Sequence, residues 1–162
     1  MSQVKFIRRG LQVNRFHTRA TIKDNTVGHH TAGVALFCIL LEEEPSIHLL
    51  KAALFHDLAE HEFGDVPSPT KNYLNVKEAF DKLEEDLLKQ VGLDVGLTPE
   101  ETRTLKIADC LDGMCFCLEE AELGNRQLLD VADRYYDYLS ALRPWSEREE
   151  MVINEARRIH GS

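Results

Sequence analysis

The sequence has no apolar run longer than Val34 to Leu41, well short of the roughly 20 residues that cross a bilayer. Its first residues, MSQVKFIRRG, lack the apolar stretch and small-residue cleavage site of a secretory signal. The expectation is a soluble, cytoplasmic protein with no membrane partner. Cysteine is scarce as well. Cys38, Cys110, Cys115 and Cys117 form no CxxC pair and lie in apolar, helix-like text, which reads as reduced core thiols. Strand-like alternation, internal repeats, low-complexity tracts and linkers are all missing. Basic charge is short overall, with 19 Lys and Arg against 28 Asp and Glu and a net charge of −9. Residues 1–30 are the exception at +5, which leaves −14 for the other 132. A mostly acidic surface repels a long polyanion, so duplex nucleic acid is excluded as a partner. A small anion held by a few N-terminal arginines is compatible with this pattern. So is a basic arm docked on an acidic neighbouring subunit.

What is present reads as helix. The 162 residues, 43% hydrophobic, suffice for one domain with a sizeable core. A first helix is expected over Val27 to Leu41, capped by Thr26. A second is expected from Glu44 and Pro45 to about Phe63, stopped by Gly64. GDVPSPTK, with two prolines, is expected to be a loop. A third helix covers about Val76 to Val91, with Phe80, Leu83, Leu87 and Leu88 at helical spacing. A fourth starts at Thr98, where Glu101 completes a capping box, and runs to Leu123. Asn125 caps a fifth to about Leu142, and Ser146 with Glu149 caps a sixth to about Ile159. The expected fold is an all-α, single-domain bundle of about six helices.

A few polar residues sit where apolar text surrounds them. In ALFHDLAEHEFGD, His56 and Asp57 follow an apolar run. Adjacent helical residues diverge by about 100°, so the two meet only at something set against the helix. A divalent cation does this, since imidazole nitrogen and carboxylate oxygen are compatible ligands. Glu60 lies one turn after His56, within reach of a water at such an ion. His30 falls in an otherwise apolar helix, where an unpaired imidazole is costly. Asp109, between Ile107, Ala108, Cys110 and Leu111, needs a partner too. Asp112 is a lesser candidate ligand. Glu119, Glu120 and Glu122 read as a solvated face, and Tyr135, Tyr136 and Tyr138 as packing or interface residues.

The stretches NRFHTRATIKDNTVGHHTAGVA, FHDLAEHEFGDVPSPTK and LKIADCLDGMCFCLEE together carry an H…HD…D pattern with an HDxxE…GDxPxPxK extension. On these residues the chain resembles the HD-domain phosphohydrolase superfamily. Within it, the likeness is to small 5′-deoxynucleotidases and to phage-type deoxynucleoside triphosphate triphosphohydrolases, including dATP-specific ones. The resemblance runs from about Arg15 to Glu120, inside one HD domain spanning residues 1–162, with 125–160 for packing or oligomerisation.

That resemblance implies a set of roles. His30, His56, Asp57 and Asp109 would hold one divalent ion (Co, Mn, Zn or Fe), with Mg as an additional phosphate-bound ion. His29, beside His30, falls at a variable polar position. Glu60 would orient or deprotonate the attacking water, and Asp65 would contact the sugar 3′-hydroxyl or assist the active-site network. Arg15 would bind phosphate, with Lys71 as a second cation, and His17 would lie near base or phosphate. Phe16 stands where bacterial nucleotidases carry Trp, against the deoxyribose. The implied activity is hydrolysis of 2′-deoxynucleotides, foremost dATP to deoxyadenosine and triphosphate. A 5′-deoxynucleotidase acting on monophosphates and a non-catalytic nucleotide-binding module are the alternatives. Family members form dimers and larger rings, so a homo-oligomer, dimer or hexamer, is implied.

Overall fold

The computed structural model describes residues 1–158. Eight α-helices make up most of them. These are α1 (Gln3–Gly10), α2 (Val27–Leu41), α3 (Ile47–Phe55), α4 (Ser68–Tyr73), α5 (Lys77–Gln90), α6 (Pro99–Glu122), α7 (Leu129–Ala141) and α8 (Glu147–Ala156). Two 3-10 turns, Leu58–Glu62 and Arg126–Leu128, join α3 to the loop before α4 and α6 to α7. No strand occurs among the described residues beyond an isolated antiparallel bridge between Asn14 and Thr26.

The long helix α6 is the axis. Its capping box closes at Thr98 and Glu101, and α2, α3, α7 and α8 pack around it. Val34, Cys38, Leu49, Ala53, Ile107, Leu111, Met114, Leu128, Leu139 and Ile153 fill the space between. A smaller core of Phe6, Val27, Leu58, Ala59 and Leu93 seats α1 against the first 3-10 turn. All four cysteines are free and buried, and burial pushes the Cys38, Cys110, Cys115 and Cys117 thiols up to about 12, so they stay unreactive.

The bundle holds more helices than six. α1 begins at Ser2, whose hydroxyl accepts the Lys5 amide, in a stretch whose charge hides its one deeply buried apolar residue, Phe6. α3 begins at Ile47 rather than Glu44, because Ser46 is the N-cap and accepts the Leu49 amide. The prolines of GDVPSPTK do not prevent a helix: α4 forms with Pro69 in its first turn, where the missing N–H has no intrahelical partner to lose. Asn125 caps the 3-10 turn rather than α7. Ser146 and Glu149 close the capping box of α8, and the expected end at Ile159 lies outside the described residues. Tyr135 packs against the main core, while Tyr138 is 44% exposed.

Candidate metal centre and its cleft

The expected second helix does not run on to Phe63. α3 ends at Phe55, His56 is its C-cap, and Asp57 takes φ −97° and ψ 0° before the 3-10 turn. This break answers the geometric problem posed by neighbouring His and Asp residues. Off the helix, the two side chains point to one place, with His56 Nε2 3.3 Å from Asp57 Oδ1. His30 reaches the same place from α2, its Nε2 3.4 Å from Asp57 Oδ2 and 3.1 Å from Asp109 Oδ1 of α6. Ligand atoms of His30, His56 and Asp57 all lie within 4.8 Å of one another.

Both imidazoles are oriented from behind. His30 Nδ1 donates to Asp112 Oδ2 at 2.6 Å, and His56 Nδ1 donates to the Ala53 carbonyl at 2.9 Å. Each Nε2 is left as the nitrogen that faces the cluster, buried and with no hydrogen-bond partner among the described residues. Two orphaned imidazole nitrogens beside two carboxylates fit a divalent cation, and the outer hydrogen bonds are those that ligating histidines characteristically make. Asp112, weighed as a lesser ligand from sequence, is therefore the residue that orients His30. Room for it comes from Gly33, one turn along α2, where a Cβ would overlap the Asp112 carboxylate. His29 is exposed and pairs with its own cap, Thr26.

The electrostatics call for positive charge. Burial and Arg15 disfavour a proton on His30, yet the Asp109 and Asp112 carboxylates beside its two ring nitrogens prevail and raise it to about 9. Burial opposes ionisation of Asp109, but His30, then His56 and Arg15, outweigh it and hold the carboxyl well below its usual range. Glu60, 5% exposed, is pushed up to about 9 by burial and by the Asp57 and Asp65 carboxylates. Its Oε2 is buried without a partner among the described residues.

Arg15 sits on the same cleft. Its side chain is 9% exposed, Nη1 lies 3.9 Å from Asp112 Oδ2, and that nitrogen has no hydrogen-bond partner among the described residues. Burial weakens its charge, but Tyr135, Asp57 and Asp109 keep it protonated. Phe16 adopts φ +57°, donates its amide to Asp65 Oδ2 at 3.3 Å and stacks on Phe116, ring centroids 4.9 Å apart. Lys71 feels Glu60 and Asp57 across the cleft, but its Nζ is held by Glu84 at 2.9 Å. His17 is exposed, and among the described residues no hydrogen bond or ion pair ties it to the cluster.

Glu84, Gly33 and Phe116 went unread in the sequence, and Glu120 was misread. Far from a solvated face, Glu120 is fully buried. A signal existed: Asp112, Phe116 and Glu120 recur every fourth residue of α6, the spacing of one helix face.

A family model described as the HD domain matches residues 2–115. The chain belongs to the HD-domain family. Among curated proteins, the HD chain is 29% identical over 151 residues to a dATP triphosphohydrolase of Salmonella phage PMBT28, covering 84% of this chain and 77% of that protein. Among solved structures, it resembles the HD phosphohydrolase DatZ of cyanophage S-2L, solved bound to dA and one catalytic Zn2+ ion, with a TM-score of 0.72 and 19% identity over 100% of this chain and 99% of that one. A conserved hypothetical protein of Pyrococcus furiosus matches at a TM-score of 0.68 and 25% identity, covering 96% of this chain and 97% of that one. The family match thus covers residues 2–115, and the likeness in fold to DatZ extends beyond it.

Proposed function

We propose that this HD protein is a metal-dependent phosphohydrolase of 2′-deoxynucleotides, a deoxynucleoside triphosphate triphosphohydrolase preferring dATP. The observation that carries this reading is the meeting of two orphaned imidazole nitrogens and two carboxylates beside the buried Arg15 guanidinium, whose Nη1 has no hydrogen-bond partner among the described residues. The relatives supply the substrate class, since one is a dATP triphosphohydrolase and another was solved with dA.

His30, His56, Asp57 and Asp109 would hold the ion, and a His2Asp2 set accepts Zn, Mn, Co or Fe. Such an ion supplies Lewis acidity toward phosphoryl oxygen and lowers the pKa of water. The chain's own groups do the rest. Arg15 offsets charge on the phosphates through a planar donor array, and its burial strengthens that attraction. Glu60 takes the proton from the attacking water once positive charge stands among its neighbouring carboxylates. Asp65 fixes the Phe16 backbone, so that the ring would stand against the deoxyribose and clash with a 2′-hydroxyl. Lys71 adds a second positive charge by exchanging Glu84 for phosphate. Attack at the α-phosphorus breaks the bond to the 5′-oxygen and gives deoxyadenosine and triphosphate.

This reading also includes assembly into a dimer or hexamer in the cytoplasm. Beyond His29, His30 and Thr31 in its first turns, α2 is apolar all round, and Leu36, Ile39 and Leu40 stand 63%, 47% and 54% exposed, a face that a second copy would cover. No helix among the described residues is long and apolar enough to cross a membrane.

Chromatography of products from all dNTPs, dNMPs and rNTPs with Co, Mn, Zn and Mg tests the activity. Triphosphate released from dATP in preference to ATP is the expected result. Phosphate released only from monophosphates would replace it with the 5′-deoxynucleotidase reading. Nucleotide binding without turnover under every metal would leave a binding module.

A further inference from the structure

The loop between Asn14 and Thr26 leaves the site and returns to it. Its base is closed by the Asn14–Thr26 bridge, by the Arg15 amide donating to the Asn25 carbonyl at 2.8 Å, and by the Val27 amide donating to the Val13 carbonyl at 2.8 Å. Arg15 and Phe16 sit on its outgoing limb. Phe16 holds a left-handed backbone conformation, which is strained for a non-glycine residue and persists only where the surroundings impose it.

One face of α6 imposes it. Asp112 lies against Arg15, and Phe116, one turn on, stacks on Phe16. Glu120, a further turn on, takes the returning limb. Its Oε2 accepts the Ile22 amide and its Oε1 the Lys23 amide, each at 2.7 Å. Asn125 Nδ2 completes the clamp by donating to Glu120 Oε2 at 2.9 Å and to the Ala20 carbonyl at 2.8 Å. Glu120 is fully buried. Burial opposes its ionisation, but the Ile22 amide, Asn125 and the Lys23 amide overcome it and lower its pKa. A buried carboxylate is costly unless its lone pairs are taken, and here both oxygens are used on one stretch of backbone.

We propose that Glu120 is a positioning residue. Without touching substrate, it fixes the loop to α6 so that Arg15 and Phe16 stand ready beside the cation cluster. In its catalytic consequence the proposal rests on the phosphohydrolase reading. In its structural consequence it does not.

The test uses Glu120→Gln, whose amide presents a donor to one of two backbone donors, with Asn125→Ala as a milder variant should the first fold poorly. Glu119→Gln, altering the exposed partner of Lys23, is the control. Amide hydrogen exchange, zinc affinity, affinity for inorganic tripolyphosphate and steady-state kinetics on dATP are measured well below each melting temperature. In Glu120→Gln or Asn125→Ala, exchange at Ile22, Lys23, Arg15 and Phe16 is expected to rise about tenfold, the scale of one lost charge-assisted hydrogen bond. Tripolyphosphate affinity is expected to fall and KM to rise more than kcat falls, with zinc affinity unchanged. Faster exchange at Ile22 and Lys23 alone, with Arg15, Phe16, tripolyphosphate affinity and KM unmoved, reduces Glu120 to a structural clamp and overturns the proposal. Should no nucleotide be turned over, the phosphohydrolase reading falls, while exchange and tripolyphosphate binding still decide the role of Glu120.

Discussion

The wall of the cleft formed by α2, the end of α3 and α6 is held quite differently from the wall formed by α4 and α5. α6 alone buries Thr104, Ile107, Leu111, Met114, Phe116 and Leu118 among others, and its neighbours cover it on several sides. α4 and α5 contain no buried residue at all. The Lys71–Glu84 pair and Lys71 over the Phe80 ring join α4 to α5, and Phe80 against Phe63 at 5.2 Å connects α5 to the end of the first 3-10 turn. The proposed metal ligands stand on the deeply packed side, and Lys71, proposed to meet phosphate, stands on the thinly packed one. Elements with few buried contacts open at low free energy, so the second wall can adapt without disturbing the first.

Substitutions on the two walls should therefore differ in kind. Asp57→Ala carries the largest expected effect: both metal uptake, read by calorimetry, and turnover are lost. Glu60→Ala should spare metal uptake yet lower kcat by about 10²–10⁴, the scale of a missing general base. Retained activity in either variant refutes the roles assigned here. Asp112→Ala frees the back of His30 and should weaken metal affinity by about 10- to 100-fold.

Glu120 gives a pH signature of the packed wall. Its folded pKa is lowered, so its stabilisation is full above the unfolded value of about 4.3 and is lost as pH falls through the folded value. Thermal melting of Glu120→Gln should thus be lower than wild type near neutrality and fall less steeply in acid. The smallest effect belongs to the thin wall. Glu84→Gln should cost about 1 kcal/mol or less in chemical denaturation, speed amide exchange in α4, and change KM by less than about tenfold. A loss of turnover as deep as that of Glu60→Ala would erase the distinction between the walls.

The sequence made the packed wall readable and the thin one hard to read. Thr26, Thr98 and Ser146 are caps whose side chains meet backbone donors a few residues away, and local chemistry of that kind is visible in a linear string. His30 and Asp109 stood out because apolar neighbours surround them. Glu120 did not, because Glu119 and Glu122 flank it and its partners, Ile22 and Lys23, are nearly a hundred residues away in the chain. The end of α3 at Phe55 was equally hidden: LAEHE has good helix formers, and only tertiary placement of His56 and Asp57 overrides them. α4 is hidden behind the two prolines of GDVPSPTK, since proline breaks a helix interior but is tolerated in the first turn.

Gly33 and Asp112 fit each other as a void and its filling: the absent side chain on α2 is the space occupied by the carboxylate that aims His30. Neither position can drift alone. A related chain with a bulkier residue at the first is expected to carry a shorter one at the second. Such a chain would keep every letter of the H…HD…D signature while its histidine swung free, and these two positions would expose it where the signature could not.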